Sequence, residues 1–274
     1  MPVVRSITRL GCITTRQLAA FGRFCEFSAQ TCTALRHRLH GQGWMRLLKP
    51  QLYAVGTKSV PAVMLVGFFV GAVLAVEMHP QLAVIGQETK LGGIIDLSVI
   101  KQIGPVFAAV MIAGRVGGAV SAEIGTMRVT EQVDALRVMG VDPLAYLVVP
   151  RVAACVIMVP LVTLFGDALG ILGGWMVAVR GFGTDGGIYW MESAHMVHGF
   201  DLFVGISKGL VFGLLIGLIG CWKGFTCERG AAGVGRAATD SFVTSFIAIM
   251  VANYFLAQFL NTVWEMLGGT LAAV

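Results

Sequence analysis

Five long apolar stretches, separated by polar and glycine-rich segments, dominate the pattern of hydrophobic positions along the chain. They cover residues 60–76 with a backward extension to Leu52 and Tyr53, 94–113 with the purest part at 103–113, 144–179, 202–222 and 242–260. A helix that crosses the ~30 Å hydrocarbon core of a membrane needs about 20 predominantly apolar residues. The pattern therefore predicts an all-α, multi-pass membrane protein with about five transmembrane helices.

The third stretch is longer than one membrane crossing requires. As a helix, residues 144–179 would extend about 54 Å, which exceeds the ~30 Å hydrocarbon core. We interpret the stretch as one long span that starts near Arg151 and is kinked at Pro160, with residues 144–150 at the cytosolic surface. Two separate spans are the alternative.

Composition and charge support a membrane location and indicate an orientation. Of the 274 residues, 56% are hydrophobic and only 13% are charged, about half of the ~25% charged residues typical of soluble domains. Nine of the 20 lysines and arginines lie in residues 1–58, four in 115–151 and three in 221–240. Because positively charged loops stay in the cytosol, we expect a cytoplasmic (inner) membrane protein with a cytosolic N-terminus and an outer, periplasmic C-terminus. The basic residues form no groove-sized patch, so nucleic acid is not an expected partner.

Residues 16–40 carry a different pattern, with apolar side chains at three- and four-residue spacing and arginines on the other faces. The apolar positions are Leu18, Phe21, Cys25, Cys32, Leu35 and Leu39, and the arginines are Arg16, Arg23, Arg36 and Arg38. This pattern favours an amphipathic helix in the cytosolic membrane interface, although an ordinary soluble helix has the same periodicity. The chain thus divides into an N-terminal segment 1–50, a transmembrane domain 51–262 and an outer tail 263–274.

The segment 114–151 lies between two spans and is expected in the cytosol. Within it, residues 127–139 are predicted to form a short helix, because Gly140 and Pro143 supply C-terminal stop signals. A capped, half-charged helix at this place has the shape to dock on a cytosolic protein, as the coupling helices of ABC permeases do. A solvated connecting loop is the alternative. The residues expected to form the contact are Arg128, Glu131, Gln132, Asp134, Leu136 and Arg137. Val129 and Val133 lie on the same apolar face of the predicted helix as Leu136.

Two stretches of the sequence resemble one known family. The first is IGPVFAAVMIAGRVGGAVSAEIGTMRVTEQVDALRVMGVDPLAYLVVPR, residues 103–151, and the second is GCWKGFTCERGAAGVGRAATDSF, residues 220–242. Both are similar to the MlaE (YrbE-type) permease family, and together with the spans the resemblance covers roughly residues 50–260.

The resemblance implies a fold and a set of partners. Members of the family are homodimers in which each protomer has an interfacial elbow helix and five spans. They work with a cytosolic ABC ATPase pair and with an MCE protein on the outer side, and a small cytosolic accessory domain is a further candidate partner. The cargo is phospholipid, or a sterol-like lipid in some branches. The chain has no G-x-x-x-x-G-K-[ST] motif, so we expect a non-enzymatic subunit without a cofactor, with ATP bound by the partner.

The resemblance also implies a lipid pocket at the twofold axis, and two positions depart from the family pattern. Many relatives carry an acidic residue before the Gly-Pro step, where this chain has Gln102 beside Lys101, and an Asp in the last span, where it has Asn253. Both changes remove a charge from a membrane-embedded site, so the identity of the lipid stays open. The expected pocket residues are Phe68, Lys101, Gln102, Phe107, Ile249, Asn253 and Tyr254.

Four ionisable residues lie in or near the predicted spans, namely Asp96, Lys101, Asp167 and Lys208. Charges inside a membrane are costly and usually face a cavity or a partner. Lys101 and Lys208 lie toward the outer ends of their helices, so snorkelling to the surface is an equal alternative. Asp167 lies beside a stripe of glycines, where a hydrogen bond between helices would explain it equally well.

Other classes of function fit parts of the pattern. An ion-gradient-driven secondary transporter or channel for a hydrophobic solute would favour broken helices and paired acids at mid-membrane, of which the sequence offers few. An intramembrane enzyme would need a polar cluster on facing helices. Glu192, His195 and His198 recur every three residues in the outer loop, and we interpret them as the polar side of an interfacial helix rather than a zinc site. The leading hypothesis is the permease subunit of an ABC-type lipid transporter.

Overall fold

The computed structural model describes residues 2–38 and 44–266, and within these two ranges the protein is built from helices without a strand. The α-helices are, in chain order, α1 (Pro2–Arg38), α2 (Trp44–Leu52), α3 (Val60–Val84), α4 (Leu91–Ser98), α5 (Gly104–Ile112), α6 (Gly118–Val129), α7 (Gln132–Val138), α8 (Val149–Gly181), α9 (Gly186–Met196), α10 (Gly199–Phe225) and α11 (Ala231–Met266). The predicted all-α fold is confirmed.

Short turns of wider helix join several of these elements into longer rods. In the described part of the chain, α2 and α3, α4 and α5, and α5 and α6 are connected in this way, and a fourth turn precedes α8. These π-helical turns are Tyr53–Thr57, Val99–Ile103, Ala113–Gly117 and Leu144–Val148. Such turns frequently mark functional positions in helices, and the second of them contains two of the predicted pocket residues.

Five of the rods are long and apolar enough to cross a membrane, as predicted. They are Trp44–Val84, Glu88–Val129, Leu144–Gly181, Gly199–Phe225 and Ala231–Met266. The third is a single continuous helix that runs through Pro160, so the alternative of two spans in this stretch is wrong.

The N-terminal helix is longer than the pattern of residues 16–40 predicted, because α1 already begins at Pro2; residues 39 and 40 lie outside the described part of the chain. Phe24 and Phe27 pack against the rings of Trp222 and Phe225 at the end of α10. These aromatic contacts anchor α1 beside the end of the fourth span. On the same helix, Leu18 and Phe21 remain exposed.

The segment 114–151 differs from the prediction in two ways. First, its N-terminal part is no loop, since the helix of the second span continues to Val129 despite several glycines. Second, the predicted helix 127–139 is broken at Glu131, whose left-handed φ of 61° separates α6 from the seven-residue α7. The sequence pattern missed the break because Glu131 is not one of the residue types that usually adopt a positive φ.

The third and first spans approach each other along matched glycines. The structure places Gly67 of α3 against the backbone of Gly166, and Gly71 against that of Gly170. A Cβ atom added at Gly71 would overlap the carbonyl oxygen of Gly170. Helices in lipid are already removed from water, so the hydrophobic effect does not drive their association. Close backbone contact of this kind supplies much of the attraction between them.

The fourth span packs on the third in the same way. Gly209, Gly213 and Gly217 of α10 lie against the backbone of α8 between Val152 and Pro160. The long third span is therefore the centre of the bundle, with α3 on one side and α10 on another. In a single chain, only a minority of the residues in the first and fifth spans are buried.

The glycine contact between the first and third spans can be tested with one added methyl group. Gly71→Ala should lower the stability of the protein by about 1–3 kcal/mol, because the tight packing cannot relax around the new atom. The matched control is Gly235→Ala in α11, where an added Cβ meets nothing within 4 Å. There the better helix propensity of alanine should leave stability unchanged or raise it by up to about 1 kcal/mol. Thermal unfolding of both variants in one detergent measures this, and equal melting temperatures would contradict the packing argument.

Candidate functional site

A cavity of about 410 Å³ lies between the C-terminal end of α4 with its π-helical turn, α10 and α11. Its wall is formed by Leu97, Ser98, Lys101, Gln102, Val204, Lys208, Ala257 and Asn261. One part of the wall is apolar and another carries two lysines and two amides. A space of this kind suits an amphiphilic molecule that has a polar head and an apolar body.

Lys208 is the most buried charged group at this cavity, with 1% of its surface exposed. Its ammonium group donates to the backbone carbonyl of Lys101 at 3.0 Å and to Oε1 of Gln102. The carbonyl of Lys101 precedes Pro105 by four residues, and proline has no N–H to donate to it. Lys208 thus supplies this carbonyl with a donor from another helix.

Lys101 has a different partner, on the neighbouring helix. Its ammonium group lies 3.4 Å from Oδ1 of Asp201, which is largely buried. The second oxygen of Asp201 accepts the backbone N–H of His198 at 3.0 Å and so caps α10. Both oxygens of Asp201 are therefore engaged, and the charge of Lys101 is balanced within the protein.

The seven predicted pocket residues do not form one site in this chain. Lys101 and Gln102 line the cavity, whereas Phe107 borders a much smaller void beside α3 and α8. Ile249 lies away from the cavity and is completely buried in the main apolar core. A core residue and a pocket residue carry the same apolar signal in sequence, so the pattern could not separate them.

The other predicted pocket residues lie on outward-facing parts of the spans. Phe68 is half-buried and contacts the ring of Phe69. Tyr254 is 68% exposed. Asn253 is half-buried, and its Oδ1 has no hydrogen-bond partner in the described residues.

Lys208 belongs to the site but was not among the predicted pocket residues. The interpretation that it snorkels to the surface is wrong, because its side chain points into the bundle rather than along it. Asp201 was missed as well. The available signal was their seven-residue spacing, which places both on one face of α10 two turns apart.

Two buried acids lie outside the cavity. Asp96 of α4 accepts hydrogen bonds from Tyr189 at 3.0 Å and from Ser193, and these contacts fasten α9 to α4. Burial, and then the nearby Asp96, raise the pKa of Tyr189 above its usual range. Asp167 of α8 is nearly buried against Gly104, and its Oδ1 finds no hydrogen-bond partner in the part of the chain that the structure describes.

The loop between the third and fourth spans contains the helix α9, which includes Glu192 and His195 but ends before His198. Residues 2–38 and 44–266 contain no group of three or more His, Cys, Asp or Glu side chains arranged to hold a metal ion. His198 instead contacts the backbone carbonyl of Met196 through Nδ1.

At the opposite end of the spans, α7 presents a mixed surface. Glu131, Gln132 and Asp134 are exposed, and Arg137 is paired with Asp134 at 3.0 Å. Arg128 is committed within the chain, because it donates to the backbone carbonyl of Phe225 and so joins the ends of α6 and α10.

The apolar part of this surface differs from the predicted one. Leu136 is half-buried and Val133 is buried against the protein. The free apolar surface belongs to Val138 and Met139, which are 89% and 67% exposed. They were missed because the break at Glu131 rotates α7 relative to the continuous helix that the sequence suggested.

Comparison with known proteins identifies the family. The profile of the family described as "Permease MlaE" matches residues 48–259. A "Probable ABC transporter permease protein" of Rickettsia bellii is 37% identical over 91% of this chain and 95% of its own length. "Intermembrane phospholipid transport system permease protein MlaE" of Haemophilus influenzae is 34% identical over 77% of this chain and 81% of its own length.

A plant protein is also similar to this chain. "Protein TRIGALACTOSYLDIACYLGLYCEROL 1, chloroplastic" of Arabidopsis thaliana is 34% identical over 82% of this chain and 63% of its own length. The family match spans all five candidate membrane helices. The chain is therefore a multi-pass membrane protein and belongs to the MlaE family of ABC transporter permeases.

Proposed function

We propose that the chain is the membrane subunit that moves phospholipid, or a related lipid, between the cytoplasmic membrane and an outer-side MCE protein. The observation that carries this proposal is the cavity of about 410 Å³ whose wall combines two lysines with apolar side chains. The printed name of the Haemophilus influenzae relative, which refers to phospholipid transport, supports it. The ABC permease family favours ATP-driven transport over the ion-gradient alternative.

The energy would come from an ATPase in trans, docked on α7. This part of the proposal rests on the exposed Val138 and Met139, which offer apolar surface beside the charged Glu131 and Asp134. A groove of about 770 Å³ between α1 and the segment Gly140–Ala145 adjoins this surface and could receive further parts of the partner. No nucleotide cofactor is expected in the chain itself, because it has no P-loop motif.

A homodimer would complete the transport pathway. The first and fifth spans are apolar, but only a minority of their residues are buried in the single chain. In the proposed assembly these spans face a second copy, and the cavity beside α11 opens toward the interface. An MCE protein would contact the outer end, and a small accessory domain would join on the cytosolic side.

The orientation follows from the basic residues, sixteen of which lie in the segments proposed to be cytosolic. A fluorescent protein that matures only in the cytosol should therefore be bright at the N-terminus and dark at the C-terminus. Alkaline phosphatase, which is active only outside the cytosol, should give the reverse result. Each fusion serves as the control for the other. A bright fluorescent fusion at the C-terminus would contradict five spans with a cytosolic N-terminus.

Docking of the ATPase can be tested at Val138. Val138→Asp places a charge in the proposed apolar contact and should weaken ATPase binding by at least about tenfold, since an unpaired buried charge is costly. The matched control is Val84→Asp, which changes a valine of nearly equal exposure, 88%, at the other end of the molecule. Pull-down of the ATPase and lipid transport are measured at equal permease content in membranes. Normal binding and transport in Val138→Asp would exclude α7 as the coupling element.

The lipid site can be tested with a photo-crosslinking amino acid at Asn261, which lines the cavity. The control position is Phe165, which is 52% exposed on the third span. Both positions should capture lipid, but only capture at Asn261 should change when the ATPase is locked with a non-hydrolysable ATP analogue. Mass spectrometry of the crosslinked products measures both yields. If capture at Asn261 did not depend on the nucleotide state, like capture at Phe165, the cavity would be ordinary lipid-facing surface.

A further inference from the structure

The cavity contains a buried positive charge that the protein does not balance. Lys208 is 1% exposed, and its two hydrogen-bond acceptors, the carbonyl of Lys101 and the amide oxygen of Gln102, are both neutral. No carboxylate in the described part of the chain forms an ion pair with it. A buried charge without a counter-charge is costly, and proteins usually pair it.

The charges at the cavity add up to an excess of one. Lys101 and Lys208 contribute two positive charges, and Asp201 contributes the one negative charge. Asp201 is already held by Lys101 and by the backbone N–H of His198. The acid therefore cannot turn to Lys208 without giving up both of these contacts.

Lys208 also keeps one donor unused. An ammonium group has three N–H donors, and two of them are engaged by the carbonyl of Lys101 and by Gln102. The remaining donor belongs to a side chain that lines the cavity. A headgroup that reaches the ammonium group of Lys208 from the cavity would thus meet both a third donor and an unbalanced charge.

We infer that the cavity selects lipids whose headgroup carries a net negative charge, with Lys208 donating to the headgroup phosphate. The neutral side chain of Gln102 determines this preference, because it does not balance the charge of Lys208 and the ligand must supply the negative charge. A zwitterionic headgroup has a phosphate too, but it brings an ammonium group that already balances the phosphate. Its ammonium would also lie near Lys101 and Lys208, and the carboxylate of Asp201 beside them is already paired with Lys101. This inference rests on the proposed lipid transport and specifies the class of lipid.

A purely structural role of Lys208 is the competing explanation, since the side chain donates to the backbone of the second span close to Pro105, which has no N–H. That role needs a donor but not a charge. The two explanations predict different effects of a negative charge added inside the cavity. A purely structural hydrogen bond from Lys208 would remain, whereas an anionic headgroup would have to compete with the added charge for Lys208.

The decisive pair of variants is Gln102→Glu and Gln102→Met. The glutamate supplies an internal partner for Lys208, whereas the methionine has similar size and stays neutral. Complexes with the ATPase are placed in nanodiscs of equal phosphatidylglycerol and phosphatidylethanolamine, extracted, and analysed for retained lipid by native mass spectrometry. The unchanged protein should retain the anionic lipid about tenfold over the zwitterionic one. Gln102→Glu should bring this ratio close to one, and Gln102→Met should keep it.

Two further variants separate charge from folding. Lys208→Met should lose the preference for the anionic lipid, and Lys208→Arg should restore it. The comparison is made between variants of equal yield and melting temperature. A ratio near one in the unchanged protein, or an equal preference in Gln102→Glu, would overturn the inference while lipid retention itself still supports transport. If no variant and no unchanged complex retained lipid in the cavity, the proposed function would fail together with the inference.

Discussion

The structure depends on one constraint, which is that a membrane offers no water to satisfy a free backbone group. Every carbonyl released from its helix must find a donor inside the protein. Pro105 removes one backbone donor from the second span next to its π-helical turn, and Lys208 reaches across from α10 to donate to the carbonyl of Lys101. This single requirement places a lysine at full burial, and it draws α10 against the π-helical turn Val99–Ile103. The cavity forms beside that contact.

The glycines make this arrangement possible. A lysine of ordinary reach can bond a neighbouring backbone only if the two helices lie close together. Gly205, one turn before Lys208, faces the carbonyl of Ile100 and the ring of Pro105 without a side chain between them. The glycine stripe of α10 is thus more than a packing feature. It brings the polar end of Lys208 within hydrogen-bond distance of the second span and fixes one wall of the cavity.

The sequence predicted more of the fold than of the candidate site. The five spans follow from long apolar stretches, because this signal is additive over many residues, whereas the length of the third stretch left one or two spans open until the structure showed a single helix. The break at Glu131 could not be predicted, since it depends on one residue adopting a positive φ. The burial of Ile249 and Lys208 also escaped, because apolar or charged character in a span does not tell which neighbour the side chain faces. Only the packing of helices distant in sequence decides that.

The two ends of the protein are joined by one helix. Lys208 at the cavity and Phe225 at the other end of α10 are 17 residues apart, a distance of about 26 Å along a rigid helix. The carbonyl of Phe225 is held by Arg128, and Gly224 packs against Ile124, so the end of α10 is fastened to the helix that leads into α7. A displacement of α7 would therefore move the end of α10 first. Lys208 binds the second span through the carbonyl of Lys101 and the amide of Gln102, so a displacement carried along α10 would reach the cavity at this contact.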